Sequence, residues 1–181
     1  MGDGGKFVSY EPTRLVKDAW SSPPRCLTGF RVEPAKEPPP FTTVLDEQAF
    51  FHLSCLCGSA SLYILGYPIP KVAGYLSSSL SVQCEACGRV TPLFDPQEHG
   101  YDAEFGFCST TPGSGEPQRF VCPQCSGVTF AVYPAFTYQL EGDEFEPEQW
   151  AHIQDFFDWF VLDVQCKRCG TLCSAAEYEC A

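Results

Sequence analysis

The apolar positions of this chain come in short runs rather than long periodic stretches. Thr42-Thr-Val-Leu45, Leu62-Tyr-Ile-Leu65, Val128–Tyr133 and Phe136–Leu140 read as strands, being rich in β-branched and aromatic residues. Pro134-Ala135 separates the last two, which predicts a hairpin or meander at that point. One segment breaks the pattern. Pro147 suits the first turn of a helix, and Trp150, Ile153, Phe156 or Phe157, and Phe160 recur at helical spacing. Residues 141–163 also carry eight acids and no Lys or Arg. An acidic amphipathic helix is therefore expected over 141–160. Its apolar stripe would cover a sheet, and its acids would either stay in water or form a docking surface.

Proline and glycine punctuate the rest. Residues 1–40 hold seven of the 16 prolines, so they cannot form one long helix and read as an extended arm. Ser109-Thr-Thr-Pro-Gly-Ser-Gly-Glu-Pro117 is the most linker-like stretch. The division that follows is an arm over 1–40, a first unit over 41–108, a linker over 109–117 and a second unit over 118–181.

Composition narrows the function classes. Apolar residues make up 44% of the 181 positions and aromatics 14%, which excludes wholesale disorder. No apolar run approaches the ~18 residues of a membrane span. The start Met1-Gly-Asp-Gly-Gly5 has neither a basic nor an apolar region, so no secretory signal is visible and a soluble cytoplasmic protein is expected. The formal charge of −12 argues against nucleic acid and anionic membranes as targets. It favours a basic protein partner.

The twelve cysteines give the chemistry. Eight form four close pairs: Cys55/Cys57, Cys84/Cys87, Cys122/Cys125 and Cys166/Cys169. Tetrahedral Zn²⁺ needs four soft donors about 2.3 Å from one centre, and close-paired thiols supply them two at a time. Gly58, Gly88 and Gly170 follow three of the pairs, where a tight turn lets two sulfurs converge. A disulfide framework is the alternative for an even cysteine count, but it belongs mainly to small exported domains.

The spacing also repeats. Leu80-Ser-Val-Gln-Cys-Glu-Ala-Cys-Gly88 aligns with Leu162-Asp-Val-Gln-Cys-Lys-Arg-Cys-Gly170, and another cysteine pair and an apolar run precede each. The simplest pairing is sequential. One Zn²⁺ would take Cys55, Cys57, Cys84 and Cys87, and a second Cys122, Cys125, Cys166 and Cys169. Crossed pairing between the halves is the alternative. With eight thiolates and two Zn²⁺ the formal charge would deepen to about −16.

Two knuckles joined by strands, over roughly 50–95 and again over 118–173, resemble zinc ribbons. The expected fold is accordingly mainly β (α+β), with two tandem zinc-ribbon-like antiparallel units and the acidic helix inserted in the second. The repeated Cys-x-x-Cys-Gly of 84–88 and 166–170 also resembles bacterial double-CxxCG motif proteins, some of which are immunity proteins. That resemblance implies an acidic, non-catalytic inhibitor of a basic partner such as a toxin. Glu144, Glu146, Glu148, Trp150, Asp155 and Asp158 would then carry the docking face.

A different resemblance implies an enzyme. The order Cys-x-Cys-Gly, Cys-x-x-Cys and Phe-Val-Cys-x-x-Cys is similar to glutathione-dependent formaldehyde-activating enzymes. Those carry a further cysteine two residues before the middle pair, where this chain has Val82. A nucleic-acid-binding zinc ribbon is the third reading, favoured only by the slightly basic arm.

Outside the pairs, His52 lies three residues before Cys55 and is a candidate replacement ligand. Asp95, Glu98, His99, Tyr101, Asp102 and Glu104 gather in one segment, from which a His/Asp pair could be drawn. Asp-Pro and His-Gly are also ordinary turn formers, and a structured loop is the expectation. Cys26, Cys108, Cys173 and Cys180 are left over and read as small buried apolar residues. Cys173, four residues after Cys169, could instead exchange into a metal site.

Overall fold

Thr13 starts the first element: its Oγ1 accepts the Val16 N–H (3.4 Å) and caps helix α1, Arg14–Ser21. Leu15, Val16 and Ala19 of α1 are buried, and Pro23-Pro24 ends it. A 3-10 turn at Arg25–Leu27 follows, burying Cys26 and Leu27, and then strand β1, Arg31–Pro34. The described part of 1–40 is therefore not an extended arm. Its prolines separate short elements, each packed on the body or paired with it.

The computed structural model describes residues 12–35, 47–69, 74–99, 115–138 and 149–180. The expected strand at Thr42–Leu45 lies outside them. After β1 come β2 (Gln48–Ser54), β3 (Leu62–Pro68), β4 (Leu76–Cys84), β5 (Val90–Phe94) and the short helix α2 (Pro96–His99). The second half supplies β6 (Gln118–Arg119), β7 (Phe130–Thr137), β8 (Trp159–Cys166) and β9 (Leu172–Glu179). All are antiparallel and belong to one nine-stranded sheet that curls into a half-barrel. Among the described residues no helix is long and apolar enough to cross a membrane.

The internal repeat is visible in the register. In β3-β4-β5, Leu62 faces Cys84 and Gln83 faces Val90; in β7-β8-β9, Phe130 faces Cys166 and Gln165 faces Leu172. The two three-stranded meanders touch where β3 and β7 begin, at Leu62↔Phe130. The strand that leads into each half lies on the opposite half. β2, which precedes Cys55, pairs with β7 (Leu53↔Val132), and β6, which precedes Cys122, pairs with β3. Just past β6, the Phe120 N–H donates to Ile64 O at 2.9 Å. The exchange is symmetric: Leu53 and Phe120 both stand two residues before the first cysteine of their half.

Two sequence expectations are corrected here. Val128–Tyr133 and Phe136–Leu140 are not separate strands, because β7 runs straight through Pro134. Proline is tolerated in the middle of the strand because the β2 ladder skips there, passing from Phe50↔Ala135 to Leu53↔Val132. Of the helix expected over 141–160, residues 141–148 lie outside the described residues. Gln149–Asp155 forms 3-10 turns interrupted at His152 (φ −134°), and Trp159 already belongs to β8, so the described part is not an α-helix.

An aromatic cluster fills the half-barrel. Phe94 of β5 stacks on Phe160 of β8 with centroids 4.1 Å apart, and Tyr178 of β9 lies 5.3 Å from Phe94. Phe136 packs against Phe157 at 4.8 Å and Phe160 at 5.3 Å. The far ends of the two meanders thus close on each other. The near ends, where β3, β4, β7 and β8 meet their turns, carry the cysteines.

Candidate metal centres

Each cysteine pair sits on a knuckle that the strand ends impose. Cys84 ends β4, its N–H donates to Arg89 O (2.9 Å), and Gly88 N–H donates back to Cys84 O (3.0 Å). Cys166 ends β8 with the same pattern: Cys166 N–H to Thr171 O (2.8 Å) and Gly170 N–H to Cys166 O (2.9 Å). Gly88 (φ +72°) and Gly170 (φ +75°) take the left-handed conformation that closes these turns. The repeated Gln also has a role, since Gln83 and Gln165 donate from Nε2 to Gly88 O and Gly170 O at 3.5 and 3.3 Å. The repeated Leu and Val, at 80, 82, 162 and 164, are buried. The whole repeated motif therefore has one explanation: a buried strand that ends in a thiol-bearing turn.

The leading pairs form matching knuckles. Cys55 N–H donates to Ser59 O (2.9 Å) and Gly58 N–H to Cys55 O (2.7 Å). Cys122 N–H donates to Gly127 O (2.8 Å) and Ser126 N–H to Cys122 O (2.9 Å), with Ser126 at φ +58°.

These knuckles converge in two tetrads, Cys55/Cys57/Cys84/Cys87 and Cys122/Cys125/Cys166/Cys169, each with its four Sγ atoms within 4.8 Å of one another. The cysteines thus group sequentially rather than crossed. Sγ separations are 3.6 Å for Cys55–Cys87 and Cys57–Cys84, 3.7 Å for Cys122–Cys169 and 3.6 Å for Cys125–Cys166. A regular tetrahedron with metal–sulfur bonds of about 2.3 Å has edges of about 3.8 Å, whereas a disulfide needs about 2.05 Å. Among the described residues every cysteine is free of a disulfide. Four soft donors in this shape fit a thiophilic ion such as Zn²⁺.

The thiols do not titrate alike. Burial opposes ionisation of Cys84, but hydrogen bonds from the N–H groups of Cys87 and Ala86 and from Cys57 draw it down to about 6. Cys169 is drawn down to about 6 by the hydroxyl and N–H of Thr171, with help from Cys125 and Cys122. Cys55 accepts the Cys57 N–H, which favours its thiolate; burial and the surrounding thiols outweigh that and push it up to about 12. Cys125 is pushed up to about 12, first by the Cys169 thiol and then by burial and its other sulfur neighbours. Without a cation each tetrad therefore holds one acidic thiol and one that keeps its proton. A divalent ion would displace the remaining protons.

Packing and charge support the same arrangement. Gly127 lies so close to the second tetrad that a Cβ there would sit 2.9 Å from Cys166 Sγ and 3.3 Å from Cys125 Sγ. Five of the eleven basic residues of this acidic chain lie at or beside the knuckles. Arg89, Lys167 and Arg168 lie within them, and Arg168 Nη1 donates to Cys125 O at 3.2 Å. Arg31 reaches over Gly58, and Arg119 stacks on Tyr63 at 4.1 Å while binding Gln83 Oε1 at 2.9 Å. Four thiolates around a divalent ion leave a net −2, which nearby cations offset.

The other candidates fall outside the tetrads. His52 stacks on Tyr133 (5.1 Å), and burial lowers its pKa. His99 Nδ1 accepts the Asp95 N–H (3.0 Å), and the Asp95 carboxylate bonds the Ser79 hydroxyl. These contacts form a structured turn; Tyr101, Asp102 and Glu104 lie outside the described residues. Cys173 stands opposite Val164, where the first half has Thr91 opposite Val82. It is half-buried, and burial followed by the neighbouring thiols pushes it up to about 11, so it is a fifth thiol and not a tetrad member. Cys26 and Cys180 are buried, and Cys108 lies outside the described residues.

Of the expected docking face, Glu144, Glu146 and Glu148 lie outside the described residues, and Trp150 falls within the 3-10 segment. The two acids that are described make contacts within the fold. Asp155 accepts the Arg25 N–H at 2.7 Å, and Asp158 is only 8% exposed. Sequence reasoning missed β2, whose residues Gln48–Phe51 are all buried and so show no alternation, and it missed Gly127 and Thr171 beside the second tetrad. The Ser-Gly after Cys125 was the available signal for Gly127. The chain matches no protein-family model, no curated protein sequence and no solved structure.

Proposed function

We propose that this chain is a non-catalytic, two-zinc protein-interaction module, an acidic inhibitor of the immunity-protein kind that binds a basic protein partner. The observation that carries the reading is the completeness of the two tetrads. Each supplies four thiols from the protein itself, and a closed Cys₄ site has no open position at which to activate water or substrate. Structural Zn²⁺ is the natural occupant, and each half is then a zinc ribbon whose knuckles hold a rigid sheet. With a formal charge of −12 before metal, long-range attraction steers cationic proteins toward it and repels nucleic acid. The enzyme reading would need a further thiol beside the first tetrad; Val82, at the position in question, is an apolar core residue at 1% exposure.

The test compares partner capture by the intact chain with capture by a variant in which Glu141, Asp143, Glu144, Glu146 and Glu148 are changed to amides. Loss of a cationic partner on neutralisation supports the reading, and unchanged capture sinks it. Turnover of formaldehyde with glutathione by the zinc-loaded chain would replace it with the enzyme reading.

A further inference from the structure

We propose that the two metal centres fill and empty together, because the strand that delivers the first cysteine pair of each centre is held by the other half. The inference rests on the metal reading above and adds coupling to it. For the first centre, Cys84 hangs on β4, which β3 and β5 hold within its own half. Cys55 hangs on β2, whose partners are β1 and β7. The Cys55–Cys57 knuckle is therefore held between the two halves: β2 ties its entry to β7, and β3 ties its exit to β4. The register of β7 is in turn closed at Phe130↔Cys166, beside the second centre. The second centre mirrors this. Cys122 follows β6, which lies on β3 at Leu65↔Arg119, and β3 is closed at Leu62↔Cys84 beside the first centre.

Direct contacts bridge the same seam. Leu62 pairs with Phe130, the rings of Phe120 and Phe130 are 5.3 Å apart, and Thr129 Oγ1 donates to Glu85 Oε1 at 3.3 Å. An ion in one centre orders both ends of the β3–β7 contact, so the second ion meets a half that is already ordered. That is positive cooperativity by shared ordering. Couplings between sites are typically about 5–150-fold. Linkage requires each centre to raise the other's affinity by the same factor.

The deciding experiment titrates the full metal-free chain with Zn²⁺ and reads the zero-, one- and two-ion species by native mass spectrometry. With tenfold coupling about a quarter of the chains carry one ion at half loading, against about half for equal, independent sites. Affinity is then measured in C84S/C87S, which keeps only the second tetrad, and in C166S/C169S, which keeps only the first. In each variant the surviving centre is expected to bind about tenfold more weakly than the intact chain binds its second ion. A second readout is removal by a competing chelator, which should release both ions from the intact chain in one phase. Unchanged affinity at the surviving centre, or two independent release phases, overturns the coupling. A chain that binds no ion sinks the metal reading instead, so the two failures are distinct.

Discussion

Gly127 offers a sharp test of the second metal centre, because its backbone is not in the left-handed region and an alanine there meets only a steric obstacle. The added Cβ would lie 2.9 Å from Cys166 Sγ, 3.2 Å from the Arg168 Cβ and 3.3 Å from Cys125 Sγ. Ordinary contact between such atoms is near 3.5–4.0 Å, so Cys166 Sγ must retreat by more than about half an ångström. A tetrahedron whose edges are already 3.6–3.7 Å cannot absorb that shift at one corner without distorting the others. Overpacking of this kind costs about 1–3 kcal/mol, which predicts metal bound at the second centre about 5–150-fold more weakly in G127A. The assay is competition for Zn²⁺ against a chromogenic chelator. Ser59→Ala serves as the control, because Ser59 occupies the matching place in the first half, where its carbonyl accepts the Cys55 N–H as that of Gly127 accepts the Cys122 N–H. Equal affinity in G127A and S59A would refute the steric account of the second centre.

Three further outcomes follow from the same coordinates. Acidification should strip the metal, because protons compete for the thiolates, including those of Cys84 and Cys169, which are lowered to about 6. Because a bound ion holds its thiolates ionised to lower pH than in the empty site, metal retention should fall only below about pH 6, and retention that stays flat to about pH 3 contradicts the assignment. Phe160→Ala removes a fully buried ring that stacks on Phe94 and packs on Phe136, so denaturant unfolding should show a loss of about 3–5 kcal/mol; a loss below about 1 kcal/mol would mean the aromatic cluster is not the core described. Cys173→Thr, which installs the residue found at the matching place in the first half, should leave two ions per chain by elemental analysis. A drop to one ion would make Cys173 a ligand.

The cysteine tetrads were legible because thiols brought together by a knuckle must lie close in sequence, and the two instances of Leu-x-Val-Gln-Cys-x-x-Cys-Gly specify strand, turn and donor together. The rest of the fold depends on distant partners. Gln48–Phe51 gives no periodic signal because the segment is buried throughout. Pro134 reads as a break, and only the skipped ladder to β2 shows why a strand can pass through it. Ile153, Phe157 and Phe160 fit a helical period by coincidence: two lie in and after the 3-10 turns, the third in β8, and all three are buried. Pro12, Pro23, Pro24 and Pro34 stand at or beside the ends of short elements, which composition alone cannot tell from an extended arm. Pairing of β2 with β7 and β6 with β3 leaves no local trace, since no hairpin turn joins these strands to fix their register.

The exchange of leading strands also bears on ancestry. Two separate copies of one half, each lending its first strand to the other, would build the same pairing about a twofold axis. Joining them end to end turns an association between molecules into a contact within one, so it no longer depends on concentration. It would also free such copies to diverge, and the two halves do differ: Gly127 stands where the first half has Ser59, Cys173 where it has Thr91, and Lys167 where it has Glu85. The chain can be regarded as a dimer written into a single polypeptide, with symmetry kept in the two Leu-x-Val-Gln-Cys-x-x-Cys-Gly turns and relaxed in the knuckles that lead each half.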